Sequence, residues 1–242
     1  MEWEAPGIIV AARPYGEGDA VASVFTEVHG VCRGLVRGGF SRARAGIWQP
    51  GNLVEARWVA RLADQLGSFT AELVHPAAAR AMDDALMLGV LSAACAMAEG
   101  ALPERQAHPR VFRGLLHLIA HLAAGPDAVA GLAVWELGLL EDLGYGLDFS
   151  GCPVTGGSDD LAYVSPRTGR AVSEAAAGIW RERLLKLPAF LRGGGAASPE
   201  ELFQALRLTG HFLARDAFGA RHMPVPGART LLLDRVAGLA GY

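Results

Sequence analysis

Arg33, Arg37, Arg42 and Arg44 follow one another closely in the stretch from His29 to Arg44, and no aspartate or glutamate interrupts the sequence between Val28 and Val54. Guanidinium groups without an internal counter-charge form the usual electrostatic footprint for a phosphate backbone. The alternation through Arg37 is that of a strand, with Cys32, Gly34 and Val36 on one face and Val31, Arg33, Leu35 and Arg37 on the other. One face can therefore be core while the other is basic. A solvated edge strand whose charges discourage aggregation accounts for the same residues, and the stretch alone leaves both readings open.

The remaining chemistry-bearing residues exclude more than they suggest. Lys186 is the only lysine and sits in Leu184-Leu-Lys-Leu-Pro188, so there is no phosphate-binding P-loop. Gly-x-Ser-x-Gly, His-Glu-x-x-His and Gly-x-Gly-x-x-Gly motifs are absent as well. No catalytic constellation emerges, and a hydrolase reading would need a metal- or nucleotide-dependent turnover to support it. His117 and His121 share a helix face, a spacing that can serve a metal, but no third ligand accompanies them; a hydrogen-bonded helical role is expected. Cys32 and Cys95 fall on apolar faces and read as core. Asp159-Asp160 lies in a Gly/Ser loop, where paired carboxylates cap or solvate. Trp180 and Phe190 bracket a basic helix with Arg181, Arg183 and Lys186, either an amphipathic surface helix or a face for DNA or a partner.

With 242 residues, 51% hydrophobic content and a net charge of −3, the chain can build one large or two small cores, and any affinity for nucleic acid must be local. Three widely separated cysteines argue against a disulfide framework. The acidic Met-Glu-Trp-Glu-Ala-Pro start lacks a hydrophobic signal region, and the apolar run Ala85 to Ala98 is too short to span a bilayer. A cytoplasmic protein without membrane partners is expected.

Five short strands precede His75: Gly7 to Ala12, Ala20 to Glu27, the basic strand, Leu53 to Arg61 and Gly67 to Val74, with turn residues between them. The pattern fits a small five-stranded OB-fold barrel. Such barrels bind strands with cationic side chains and aromatic rings. On this fold Arg33, Arg37, Arg57 and Arg61 take outward positions on neighbouring strands. Arg42 and Arg44 lie in a connecting loop, and Phe40 and Trp48 offer stacking surfaces. Beyond His75-Pro76 the pattern turns helical: a nearly all-apolar helix from Ala77 to about Gly100, further helices opened by Pro109 and Pro126, a loop region over 144–173, and helical signals from Ala171 to Leu191. A glycine linker, Gly193-Gly-Gly195, follows. Ser198-Pro-Glu-Glu201 is a capping box for a helix to about Ala217, and Leu231 to Leu239 packs back on the bundle. The expected class is α+β, with a barrel domain over 1–76 and a helical domain over 77–242.

Two segments together carry a resemblance. Gly16-Glu-Gly-Asp-Ala-Val21 runs through Thr26-Glu-Val-His-Gly30 to Arg37-Gly38, then Gln49-Pro-Gly-Asn52 and Trp58; the second is Trp135-Glu-Leu-Gly-Leu-Leu-Glu-Asp-Leu-Gly-Tyr-Gly-Leu-Asp148, running into Cys152. In order and spacing the chain resembles the bacterial recombination mediator family RecO. The resemblance implies an N-terminal OB-fold, a helical C-terminal domain and a non-enzymatic DNA-repair factor, cytoplasmic at the nucleoid. Such a factor binds single- and double-stranded DNA, anneals strands coated with single-strand-binding protein, and works with RecR to help load RecA. It also implies a pocket for the acidic, phenylalanine-ended tail of single-strand-binding protein, for which Arg113, Arg207, Arg215 and Arg221 are candidates. Some family members hold zinc with four cysteines after the Gly-Tyr segment. Here Cys152 takes the first position, Thr155 its partner's, and Ser173 and Ala176 the second pair's, so no metal or other cofactor is expected and the loop is a degenerate, metal-free version of a zinc finger. A scaffold that binds only proteins, with DNA contact indirect, is the rival reading.

Overall fold

In a computed structural model, which describes residues 1–62, 65–122, 125–193 and 195–242, the chain forms two compact units, Met1–Ala123 and Ala124–Tyr242. The middle of the expected Gly193-Gly-Gly195 linker lies outside the described residues.

The first unit opens with β1 (Glu2–Tyr15), β2 (Asp19–Thr26), β3 (Gly30–Val36), β4 (Leu53–Val59) and β5 (Gly67–His75). They close into a barrel in the order β1-β2-β3-β5-β4, with β3 and β5 parallel and the remaining pairs antiparallel. The period-2 alternation decides which side chains fill it: Ile9, Ala22, Val24, Cys32, Val36, Val54, Ala56, Trp58 and Phe69 form one buried cluster. β5 lies between β3 and β4, which corrects the expectation that Arg33 and Arg57 stand on neighbouring strands. Arg57 is instead set among carboxylates. It faces Glu4 in register on β1 and pairs with Glu2 at 2.6 Å, while Glu55 lies opposite Glu72.

Among the described residues three α-helices follow in this unit: α1 (Ala77–Ala81), α2 (Ala85–Ala101) and α3 (Pro109–Ala120). The single helix expected from Ala77 breaks because Asp84 caps a new start, its carboxylate accepting from the N–H groups of Leu86 and Met87 at 2.8 and 3.0 Å. Phe25, on the outer face of β2, meets Phe112 of α3 edge-on at 5.3 Å. Arg13 of β1 donates both terminal nitrogens to Glu99 of α2, each at 2.8 Å. These bonds from Arg13 hold the Glu99 carboxyl below its ordinary range, against the opposing effect of burial. A carboxylate depressed in the folded state stabilises above its unfolded pKa and loses that contribution as pH falls through the folded value. The difference in thermal midpoint between wild type and Glu99→Gln should therefore be widest near neutrality and shrink on titration to about pH 3. A gap that grows on acidification would contradict the pairing.

The second unit contains α4 (Pro126–Asp142), β6 (Leu161–Val164), β7 (Ala171–Ser173), α5 (Glu174–Ala177), β8 (Leu185–Lys186), α6 (Pro199–Phe212) and α7 (Gly227–Leu239). The capping box forms as expected: the Ser198 hydroxyl accepts from Glu201 N–H at 3.3 Å, and the Glu201 carboxylate accepts from Ser198 N–H at 3.0 Å. The helix expected over Ala171 to Leu191 does not exist. That segment gives a strand, one helical turn, a 3-10 turn and a second short strand, and β6, β7 and β8 pair into a small sheet. Among the described residues no helix is long and apolar enough to cross a membrane.

Candidate nucleic-acid interface

Between β3 and β4 the chain makes a sequence of turns that brings three of the expected arginines together. Gly38 takes a left-handed φ of +63°, and a Cβ on Gly39 would lie 2.9 Å from that of Ala20, so the glycine pair lets the chain fold tightly off the barrel. Asp19 fixes the turn by accepting from Gly38 N–H at 2.7 Å, and Phe40 N–H donates to Gly18 O at 3.0 Å. Arg44 then reaches back to the Arg37 carbonyl at 3.0 Å. Arg37, Arg42 and Arg44 are exposed, and no carboxylate among the described residues pairs with them. Phe40, 40% exposed, stands in the same loop.

The far end of this loop is anchored by Trp48 and Asn52. Trp48, expected to stack on bases, is 4% exposed and packs in the barrel core near Phe69. It presents no stacking face to solvent and holds the loop down. The buried Asn52 amide donates to the carbonyls of Gly46 and Ile47 at 2.8 and 3.0 Å and accepts from Ala78 N–H at 3.1 Å. One side chain thus ties the loop to the start of α1, a role invisible in its Pro-Gly-Asn context.

Of the remaining barrel candidates, Arg33 does point outward, but into Glu99 and Glu104, at 3.3 and 3.0 Å. It fastens the barrel to the helical segment and is not available as a free phosphate contact. Arg57 is paired with Glu2 as described. Arg61 is exposed just past β4. The structure therefore concentrates unpaired positive charge in the β3–β4 loop and surrounds Arg57 with acid.

The four partner candidates are divided between the two units. Arg113 belongs to the first unit and pairs with Glu27 at 3.0 Å. In the second unit Arg215 pairs with Asp216 at 2.7 Å and donates to the Pro166 carbonyl. Arg221 is exposed in a 3-10 turn. Arg207 lines a cleft of about 340 Å3 with Leu185, Leu206, His211, Val225 and Leu233.

The four positions that the family resemblance set against a zinc site are Cys152, Thr155, Ser173 and Ala176. Desolvation pushes the Cys152 thiol up, but the hydrogen bonds it accepts from the backbone and hydroxyl groups of Ser173 and Thr155 outweigh that and bring it to about 6. Two hydroxyls and Ala176 complete the positions, and among the described residues no group of three potential ligands exists. The donor set does not fit zinc. Because Thr155 and Ser173 already reach the sulfur, Thr155→Cys/Ser173→Cys/Ala176→Cys should gain one equivalent of zinc by metal analysis. A folded variant that purifies without zinc would show that the loop geometry is unlike a metal knuckle. The His117 and His121 rings lie 4.0 Å apart, tilted by 38°, with His121 Nδ1 bonded to the His117 carbonyl at 2.8 Å, the helical role expected for them.

The class defined by these features is an α+β protein in which a closed five-stranded barrel bearing an unpaired arginine loop precedes a largely helical region. Within it, the chain belongs to the Recombination protein O family: the N-terminal family model matches residues 1–77 and the C-terminal model residues 82–222. It is 59% identical to the DNA repair protein RecO of Granulibacter bethesdensis, covering 99% of this chain and 97% of that one. The identity is 54% to the RecO of Gluconacetobacter diazotrophicus (99% and 96% covered) and 55% to that of Acidiphilium cryptum (98% and 96%).

Proposed function

We propose that this chain is a non-enzymatic DNA-repair factor that binds single- and double-stranded DNA through the β3–β4 loop and promotes annealing by neutralising phosphates on two strands held close together. The observation that carries the reading is that Arg37, Arg42 and Arg44 are all exposed in the loop that also holds Phe40, without carboxylate partners among the described residues. Guanidinium groups on a loop anchored at both ends contact the backbone without reading sequence, and an exposed ring beside them adds sequence-tolerant stacking. The strand order and the parallel closure of β3 on β5 support an OB-fold, which places such loops beside a nucleic-acid strand. The barrel, over 1–76, is the DNA-binding domain in this reading, and the helical domain over 77–242 recruits partners.

For those partners the reading takes RecR, with which the chain helps load RecA, and the tail of single-strand-binding protein. The cleft beside Arg207 suits that tail: Leu206, Val225 and Leu233 offer apolar lining, and Arg207 offers a cation for the acidic residues. A cytoplasmic, nucleoid-associated site of action follows from the same reading.

The test is a titration of the isolated chain with a fluorescent single-stranded oligonucleotide across salt concentrations. Neutralising about five phosphates gives a slope of about −3.5 for log affinity against log salt. A slope near zero, with retention on immobilised single-strand-binding protein, would favour the protein-only scaffold.

A further inference from the structure

The strongest feature outside the arginine loop lies in the second unit. After α5 the chain turns at Gly178, whose φ is +44°, into a 3-10 turn, Gly178–Arg183, in which no residue is buried. Ile179 is 89% exposed and Trp180 54% exposed. Leaving adjacent large apolar side chains in water forgoes the burial that drives folding, and such groups mark interaction sites more often than they serve the fold. The guanidinium of Arg183 lies over the Trp180 ring at 5.3 Å, inside the about 6 Å reach of such contacts. Arg181 is engaged by Glu174. Further along the same segment Lys186 and Arg192 line an open cleft of about 570 Å3 with Leu161, Leu187 and Pro188. Between Glu174 and Arg192 the sequence holds four cations, Arg181, Arg183, Lys186 and Arg192, against two carboxylates, Glu174 and Glu182, in a chain whose overall charge is −3, and Glu201 is the carboxylate that joins Lys186 and Arg192 in lining the cleft.

We infer that Trp180, with Arg183 and Ile179, is a stacking platform for single-stranded nucleic acid, distinct from the arginine loop of the barrel. The inference rests on the DNA-binding reading above and deepens it. An indole with a guanidinium beside it and most of its surface in water can take an unpaired base as a stacking partner, while the neighbouring cations meet the phosphates. The adjacent Ile179 has the shape of an apolar wedge against a base step. Charge complementarity selects an anionic occupant, and the flat ring selects one with π-faces. A factor that pairs two strands needs to hold both, and a platform in the second unit supplies a hold independent of the β3–β4 loop.

The fluorescence of the chain makes this testable. Of its five tryptophans, Trp48, Trp58 and Trp135 are buried and Trp3 is stacked between His29 and Trp58, which leaves Trp180 as the solvent-facing emitter. Titration of the full-length protein with oligo(dT) should quench that emission, and Trp180→Phe should remove the quench while retaining binding measured by a labelled oligonucleotide. Trp180→Ala should slow annealing of complementary oligonucleotides by about tenfold, the scale of one lost base stack. Wild type that binds the labelled oligonucleotide without quenching Trp180, or Trp180→Ala that anneals as wild type does, overturns the platform and leaves the loop reading standing. Wild type that binds no oligonucleotide overturns both. If Trp180→Ala anneals normally but no longer retains single-strand-binding protein, the surface is a protein-docking site and the inference is wrong.

Discussion

Replacing Arg37 and Arg42 together by alanine should lower affinity for single-stranded DNA by about 25-fold at 0.1 M salt and make the salt slope shallower by about 1.4. Each phosphate contact on a single strand contributes about 0.7 to that slope, and two contacts account for both figures if the electrostatic contribution vanishes near 1 M salt. Arg44 is left in place because its guanidinium holds the Arg37 carbonyl, so its removal would disturb the loop as well as the charge. Arg37 and Arg42 make no such bond among the described residues, and the variant should melt as wild type does, within about 0.5 kcal/mol, as exposed substitutions do. The loss should be equal across oligonucleotide sequences, since backbone contacts do not distinguish bases. The matched control is Arg57→Ala, whose partner is Glu2 and whose neighbour in register is Glu4. It should leave the slope unchanged. A folded double variant with wild-type affinity and slope would remove the β3–β4 loop from the DNA-binding surface.

That contrast between Arg37 and Arg57 also marks how far the sequence could be read. The barrel strands announced themselves because each has one face toward the core, so apolar and polar residues alternate; the inward set Cys32 and Val36, or Val54, Ala56 and Trp58, was legible residue by residue. Which strands become neighbours is not written in that alternation, and the insertion of β5 between β3 and β4 separated Arg33 from Arg57. The partners that neutralise Arg33 were equally hidden: Glu99 lies 66 residues further on, in a helix whose placement depends on the whole unit. Trp48 looked like a loop residue because its neighbours are loop residues, yet burial of its large ring outweighs its local context. The segment after Ala171 failed for the opposite reason. Its alanines and leucines have helical propensity, but pairing of β6 with β7 and β8 overrides it and only Glu174–Ala177 remains as one turn. Ser198 and Glu201 succeeded because a capping box is a wholly local device.

The most consequential contact that no local pattern disclosed joins Glu136 and Arg229, 93 residues apart. Both are buried; Arg229 Nε donates to Glu136 Oε1 at 2.5 Å and its Nη2 donates to Oε2 at 3.0 Å and to the Leu206 carbonyl at 2.8 Å. Thr209 donates its hydroxyl to Glu136 Oε2, so α4, α6 and α7 meet at one satisfied ion pair. The pair matters for α7 because that helix buries only Leu232 and Val236 besides Arg229. Arg229→Met should cost about 3–5 kcal/mol, because it leaves the buried Glu136 carboxylate without its cationic partner, whereas Glu136→Leu/Arg229→Met should recover most of that loss by removing both charges. Urea titration followed by circular dichroism measures the two differences, and a single variant within about 1 kcal/mol of wild type would show the pair to be hydrated. Arg229 and its neighbours Thr230 and Leu233 also line the cleft that contains Arg207. In the single variant, retention on the tail of single-strand-binding protein should therefore fall along with stability, while oligonucleotide affinity, proposed to rest on the β3–β4 loop and Trp180 rather than on Arg229, should stay within about twofold so long as the protein is folded. The double variant should regain retention to the extent that it regains α7, which separates the architecture of the cleft from the charge of Arg229 itself.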